Sequence, residues 1–124
     1  MARILIAEDE SSLRTLVARA LEMDGHQVTA TADGAEALDA INKAAGGFDL
    51  VLADIKMPIM DGIALALAVA RDHPKVAILL MTGFADQRER ASGLEGLVNG
   101  LIAKPFTVAD IRFAVAAALV SGKK

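Results

Sequence analysis

The segment FDLVLADIKMPIMDG, residues 48–62, joins an apolar stretch to an acidic end. Residues 50–53 are all apolar, and Asp54 follows them directly. An unbroken apolar stretch of this length indicates a strand that is buried on both faces, as in a parallel sheet. A carboxylate at the end of such a strand is costly unless a partner or a chemical role offsets its burial. The question raised by this segment is therefore what uses Asp54.

The composition limits the kinds of protein that this chain can be. Its 124 residues fit one domain, its 54% hydrophobic content supports a core, and its net charge of −3 argues against a nucleic-acid binder. No stretch approaches the roughly 18 apolar residues of a membrane helix, and the N-terminus, with one basic residue and acids from position 8, does not resemble a signal peptide. The absence of cysteine agrees with a reducing compartment. We expect a cytoplasmic protein that binds neither nucleic acid nor membrane and has no room for an output domain.

Apolar and helical patterns alternate along the chain. This alternation predicts an α/β domain, in which helices cover both faces of a parallel sheet. The polar stretch HQVTAT (26–31) fits an edge strand, whereas the fully apolar strands belong in the centre. We assign residues 1–120 to this single domain and 121–124 to a short C-terminal tail. The predicted strands are 2–8, 26–31, 48–54, 76–82 and 98–103, and the predicted helices are 11–25, 33–47, 62–73, 86–96 and 107–120.

Polar residues stand where four of the predicted strands end. Glu8 and Asp9 follow the first strand, Asp54 ends the third, Thr82 ends the fourth and Lys104 follows the fifth. Because the carboxyl ends of parallel strands meet at one edge of a sheet, we expect these side chains to lie close together. Carboxylates gathered in this way raise each other's pKa values, and a lysine and a divalent cation would offset the repulsion. Mg²⁺ prefers such oxygen ligands.

Each of these residues also has an ordinary structural explanation. Glu8 and Asp9 precede a helix, where acids stabilise the N-terminal end of the helix dipole. Asp54 and Thr82 fit turns, and Lys104 fits a surface ion pair. The convergence of four strand ends, rather than any one residue, favours a functional site.

Four short motifs occupy these strand ends: EDE at 8–10, LADIKMPIMDG at 52–62, LLMTG at 79–83 and AKPF at 103–106. In this order they resemble the receiver domain of bacterial two-component response regulators, and the resemblance covers essentially the whole chain. It implies a flavodoxin-like, doubly wound fold with a five-stranded parallel sheet in the order 2-1-3-4-5 and five helices. It also implies Mg²⁺ as the cofactor. The implied protein is a signalling protein rather than an enzyme, with only self-catalysed phosphoryl transfer and dephosphorylation.

The resemblance assigns roles to the polar residues. Asp54 is the phosphate acceptor, and its carboxylate attacks a phosphoryl group carried on a partner's phosphohistidine. Asp9, Asp54 and the backbone carbonyl of Lys56 are the Mg²⁺ ligands, and Glu8 reaches the ion through water. Lys104 pairs with the phosphate or with Asp54, so that Asp54 and Lys104 carry the chemistry.

A conformational switch is also implied. Thr82 moves its hydroxyl to a phosphate oxygen and pulls the loop after the fourth strand. The family usually has an aromatic residue on the fifth strand where this chain has Leu101, so Leu101 and Phe84 are the candidate switch residues. Gly83 replaces a more common alanine, which adds backbone freedom and leaves access to the phosphoryl group.

Two loops beside the acceptor have features of the same family. Pro58 and Gly62 fit the mobile loop after Asp54, where glycine tolerates a positive φ. Pro105 follows a peptide bond that is often cis in the family, and this geometry aims Lys104 inward.

Within the family, the chain is most similar to stand-alone receivers of the CpdR type. The similarity lies in MARILIAEDE (1–10), DGIALALAVARDHP (61–74) and MTGFADQRERASGL (81–94). In that type the unphosphorylated form helps deliver substrates to the ClpXP protease, and phosphorylation through a histidine phosphotransfer protein stops the delivery. The implied localisation is cytoplasmic, with recruitment to a cell pole as a further expectation.

The implied partners are a phosphodonor and an output protein. A histidine kinase or histidine phosphotransfer protein would dock on the first helix, and the ClpX unfoldase would dock on the region 84–101. We expect a monomer, with dimerisation on phosphorylation as an open alternative. The donor-docking residues on the first helix are Ser11, Ser12, Arg14 and Thr15.

Other functions make different demands on the sequence. A phosphorelay shuttle or a motor-type effector binder would share the acceptor chemistry and differ only in output. An aspartyl-nucleophile phosphatase normally has a second Asp two residues after the first, where this chain has Lys56. A nucleotide carrier needs a glycine-rich phosphate loop, which the sequence lacks. A receiver that is not phosphorylated would usually have lost one of the acids or the lysine.

Overall fold

Five parallel strands form one sheet in the computed structural model, which describes residues 2–45, 47–83, 92–94 and 96–122. The strands are β1 (Arg3–Ala7), β2 (Gln27–Thr31), β3 (Leu50–Asp54), β4 (Ala77–Thr82) and β5 (Gly100–Ala103). Their order is β2-β1-β3-β4-β5, which confirms the flavodoxin-like order implied by the resemblance. As predicted from its polarity, β2 is an edge strand, and the apolar strands β1, β3 and β4 are central.

Helices pack on both faces of this sheet. In the described residues they are α1 (Ser11–Met23), α2 (Gly34–Lys43), α3 (Gly62–Asp72), α4 (Val108–Gly122) and a 3-10 helix at Ser92–Leu94. The described residues therefore contain four α-helices, not the five expected. Most of the predicted helix at 86–96 lies outside the described residues, and its described part is a 3-10 turn, where Gly93 disfavours an α-helix. The last helix extends two residues beyond its predicted end, to Gly122.

Burial on both faces explains why the central strands lack polar alternation. Leu5 and Val51 lie in the core layer that α2 and α3 cover, whereas Ile4 and Leu52 lie in the layer that α1 and α4 cover. All four side chains are at most 1% exposed. Consecutive residues of each central strand thus enter opposite layers, and both layers require apolar side chains.

Polar side chains fix the starts of three helices. Asp33 accepts a hydrogen bond from the backbone N–H of Glu36 at 2.8 Å and so caps α2. Thr107 and Asp110 form a reciprocal capping pair at α4. The Thr107 hydroxyl accepts from the backbone N–H of Asp110 at 3.0 Å, and the Asp110 carboxylate accepts from that of Thr107 at 2.9 Å. Asp61 caps α3 by accepting a hydrogen bond from the backbone N–H of Ala64 at 2.8 Å. The sequence analysis missed this cap. Because each helix follows a strand, its N-terminus lies at the edge where the strands end.

The loop between β3 and α3 is held by two close backbone contacts. A Cβ on Gly62 would lie 2.2 Å from the carbonyl oxygen of Asp54, and a Cβ on Gly34 would lie 2.3 Å from that of Met60. Gly62 is therefore required for close packing, and the expectation that it supplies a positive φ is wrong. The positive φ belongs to Ile59, at 69°, which is 85% exposed.

Candidate functional site

An open cleft of about 590 Å³ lies at the carboxyl edge of the sheet. The end of β3 and residues that follow β1, β3, β4 and β5 line it. Most of the site residues that the sequence analysis selected reach this cleft. They are Glu8, Asp9, Asp54, Lys56, Gly83 and Lys104.

Three carboxylates converge in the cleft. One oxygen from each of Glu8, Asp9 and Asp54 lies within 4.8 Å of the other two. The adjacent, parallel pairing of β1 and β3 produces this arrangement, because both strands end at the same level. Glu8 is 1% exposed and Asp54 is 6% exposed, whereas Asp9 is open to solvent. Two buried anions and one accessible anion thus surround a single small volume.

Lys104 bridges the two buried acids. Its Nζ donates to Oε1 of Glu8 at 2.9 Å and to Oδ2 of Asp54 at 2.9 Å. Its backbone N–H donates to the carbonyl of Thr82 at 2.7 Å, which ties the end of β5 to the end of β4. The peptide bond between Lys104 and Pro105 is cis. The sequence analysis anticipated the contact with Asp54 but not the one with Glu8.

The burial of these groups changes their proton affinities. Burial raises the pKa of the Glu8 carboxyl above its ordinary value, although its hydrogen bond with Lys104 opposes the shift. For Lys104, burial acts to lower the pKa of the ammonium group. The hydrogen bonds to Glu8 and Asp54 outweigh burial, so the pKa of Lys104 lies above its ordinary value. The lysine is therefore a firmly protonated cation between the two acids.

The donor set suits a hard divalent cation. Asp9, Asp54 and Glu8 offer carboxylate oxygens at mutual distances that one ion can bridge. Lys56 lines the same cleft directly after β3, near enough in sequence for its carbonyl to join them. Mg²⁺ typically takes one or two carboxylates and keeps several waters, and the solvent-accessible Asp9 leaves room for those waters.

The candidate switch residues that the structure describes lie at two different places. Thr82 ends β4 and is 2% exposed, and Gly83 follows it into the cleft. Leu101 lies on β5 with 42% of its surface exposed, and it lines a separate groove beside α4. Phe84 lies outside the described residues.

A contact of Arg14 was missed by the sequence analysis. Arg14 was expected to dock the phosphodonor, but its Nη1 donates to the backbone carbonyl of Glu8 at 2.8 Å. A basic residue one turn into the helix that follows two acids is a signal that could have suggested this contact.

The strand order and the acidic cleft define a class of protein, and the comparison of sequences agrees with it. Residues 4–116 match the profile of the response regulator receiver domain. The chain belongs to this family.

Individual relatives differ in how much of their length the chain covers. It is 36% identical over 111 residues to the response regulator receiver protein CpdR of Brucella abortus, covering 90% of this chain and 91% of CpdR. It is 34% identical over 109 residues to the transcriptional regulatory protein TcrA of Mycobacterium tuberculosis, but spans only 42% of TcrA and 88% of itself. The chain thus spans less than half the length of some curated relatives and nearly all of others.

Solved structures share the fold over the full domain. A response regulator receiver domain protein from Clostridium thermocellum superposes with a TM-score of 0.89 at 26% identity, covering 99% of this chain and 98% of the other.

None of the described helices has the length and apolar character that crossing a membrane requires.

Proposed function

We propose that this receiver domain accepts a phosphoryl group on Asp54 from the phosphohistidine of a histidine kinase or a histidine phosphotransfer protein. One observation carries the proposal. The Asp54 carboxylate ends a central strand in an open cleft, hydrogen bonded to Lys104 and within 4.8 Å of oxygens of two further acids. This arrangement combines a nucleophile, a fixed cation and a ligand set for a second cation, which is what phosphoryl transfer requires.

In the proposed transfer, an oxygen of Asp54 attacks phosphorus and the P–N bond to the donor imidazole breaks. The bonding electron pair returns to the imidazole nitrogen, and the product is an acyl phosphate on Asp54. Lys104 already contacts Oδ2 of Asp54, so its ammonium group lies where negative charge collects on the phosphoryl oxygens. No proton has to leave Lys104, since its raised pKa keeps it charged.

Mg²⁺ would be held by Asp9, Asp54 and the carbonyl of Lys56, with Glu8 joined through water. When bound, the ion would neutralise charge on the transferring oxygens. The chain's own contribution is to gather these oxygens at one edge of the sheet and to leave Asp9 open to the solvent from which the ion enters. In this proposal the protein is a signalling protein whose only chemistry is its own phosphorylation and dephosphorylation.

The proposed output is control of ClpXP-mediated proteolysis, as in the CpdR type. Its support is the similarity to CpdR, in which each chain covers about nine-tenths of the other. Thr82 and Gly83 would transmit the phosphorylated state from the cleft to the surface near β5. A cytoplasmic location with recruitment to a cell pole belongs to the same proposal.

Phosphorylation is tested with acetyl phosphate and Mg²⁺, which need no partner protein. Intact-mass spectrometry should show one added phosphoryl group on the parent chain and none on Asp54→Asn. The matched control is Asp39→Asn, which changes an exposed acid on α2 and should label like the parent. Equal labelling of Asp54→Asn and the parent would refute the acceptor assignment.

The output is tested by capture from lysate with and without beryllofluoride, which mimics the phosphoryl group. Recovery of the ClpX unfoldase only without the mimic would support the proteolysis proposal, and recovery of a flagellar motor component would contradict it. Thr82→Ala should still be labelled at Asp54 but should lose the effect of the mimic on capture. A Thr82→Ala chain that responds to the mimic like the parent would remove Thr82 from the switch.

A further inference from the structure

Arg14 tethers the segment that carries two of the three acids. It lies in the first turn of α1, its side chain is half-buried, and its Nη1 donates to the backbone carbonyl of Glu8 at 2.8 Å. A second contact holds the same segment, because Oε2 of Glu8 accepts a hydrogen bond from the backbone N–H of Glu10 at 3.0 Å. The backbone is therefore held immediately before and immediately after Asp9.

Asp9 depends on this backbone for its orientation. Its side chain is exposed, and in the part of the chain that the structure describes no hydrogen bond is made to its carboxylate. The peptide unit between Glu8 and Asp9 is planar, so a bond to the Glu8 carbonyl also fixes where the Asp9 Cα lies. Together with the bond at Glu10, Arg14 thereby limits the directions in which the Asp9 side chain can leave the backbone.

We infer that Arg14 is a positioning residue for Mg²⁺, acting through the peptide that joins Glu8 to Asp9. Its guanidinium holds this peptide so that the Asp9 carboxylate stays beside that of Asp54. The inference rests on the proposed function, in which Asp9 and Asp54 ligate the ion. Groups that orient metal ligands in this way commonly change metal affinity by about 10- to 100-fold when they are removed.

Charge and position predict opposite effects for the loss of Arg14. The guanidinium is a cation near a cation site, so removing its charge should by itself strengthen Mg²⁺ binding. Losing the tether should weaken binding, since Asp9 would then sample orientations away from Asp54. The sign of the change in affinity therefore separates a positioning role from a purely electrostatic one.

The experiment is a calorimetric Mg²⁺ titration of the full chain. We expect Arg14→Met to weaken binding by about tenfold. Arg14→Lys should recover part of the loss, because an ammonium group can donate one hydrogen bond to the same carbonyl. At saturating Mg²⁺, the rate of labelling by acetyl phosphate should return to the parent value, since Arg14 does not touch the reacting atoms.

Arg19→Met is the matched control, because it removes the same charge from an exposed position on α1. Its Mg²⁺ affinity should equal that of the parent or exceed it. Circular dichroism establishes that each variant is folded, and Arg14→Gln replaces Arg14→Met if the latter does not fold, with the same expected loss. Unchanged or tighter binding by the Arg14 variant overturns the inference and leaves the proposed function intact. A parent chain that binds no Mg²⁺ overturns the inference together with the metal role in the proposed function.

Discussion

Lys104 is the residue on which the electrostatics of the cleft depend. It is one cation shared by two buried carboxylates, and its own side chain is only 23% exposed. Removing one partner of a buried ion pair leaves an uncompensated charge, which is far more costly than losing a surface pair. The chain also contains a surface ion pair for comparison, which Lys43 and Asp39 form on α2.

Lys104→Met should lower the free energy of unfolding by about 3 kcal/mol at neutral pH, because Glu8 and Asp54 then lie buried without a cation. Lys43→Met is the control and should cost less than about 0.5 kcal/mol. Urea denaturation followed by circular dichroism measures both. Equal losses in the two variants would show that the contacts of Lys104 contribute no more than a surface pair.

The loss in Lys104→Met should depend on pH through Glu8. The folded-state pKa of Glu8 is already raised by burial, and the lysine hydrogen bond that opposes the shift is absent from this variant. An acid with a raised folded-state pKa binds its proton more tightly when folded, so stability falls as pH rises from its ordinary pKa through the raised value. The deficit relative to the parent should therefore be full at neutral pH and should shrink on acidification below the raised pKa. A deficit that grows on acidification would contradict this assignment.

At the scale of elements, the junction between β3 and α3 determines where Asp54, the proposed acceptor, lies. The N-terminus of α3 packs directly on the backbone of Asp54, where any Cβ on Gly62 would overlap the carbonyl oxygen. In addition, the backbone N–H of Gly62 donates to the carbonyl of Ile55 at 2.9 Å. Asp54 and the helix that follows it are therefore held as one unit.

Gly62→Ala should lower the free energy of unfolding by about 3 kcal/mol and should slow phosphorylation, since the backbone at Asp54 must move to admit a methyl group. Gly93→Ala is the matched control, because a Cβ there meets nothing within 4 Å. Thermal unfolding and acetyl phosphate labelling measure the two effects. A Gly62→Ala chain as stable as the control would mean that the loop can relax at little cost.

The elements show which features a sequence can reveal. The unbroken apolar stretches and the acids that end them depend only on local pattern, and they were predicted correctly. The order of the strands was not derivable, because β1, β3 and β4 have the same apolar pattern, and it came from the family resemblance. The positive φ of Ile59 contradicts the local preference of a β-branched residue, so the sequence pattern could not predict it.

The residues of the candidate site could be predicted from the sequence, but not all of their contacts. Glu8, Asp9, Asp54 and Lys104 could be selected because parallel strands bring their carboxyl ends together. The hydrogen bond from Lys104 to Glu8 could not be predicted, because it joins residues 96 positions apart and depends on how far the lysine side chain extends across the sheet. The position of Arg14 one turn after two acids could have suggested a contact with that segment, but its acceptor, the backbone carbonyl of Glu8, could not be read from the side chains.

At the scale of the whole molecule, the cleft joins β1, β3 and β5, so occupation of the cleft should stabilise the entire domain. Mg²⁺ at 100 times its dissociation constant should raise the free energy of unfolding by about 2.7 kcal/mol, because the ion binds the folded state alone. Urea titrations with Mg²⁺, and with NaCl at matched ionic strength, measure the difference. Chelation should reverse it, and Asp9→Asn should lose most of it. An equal effect of NaCl would identify general screening instead of a specific site.

The large sequence separation between Lys104 and the two acids it contacts has a consequence for the newly made chain. Its Nζ contacts Glu8, which lies 96 positions earlier in the chain, and Asp54, which lies 50 positions earlier. Both acids are therefore synthesised well before the lysine that pairs with them. A nascent polypeptide that stops short of β5 therefore holds two carboxylates without the lysine that bridges them in the folded domain. If Asp54 is the acceptor as proposed, a chain arrested before Lys104 should not be labelled by a phosphodonor.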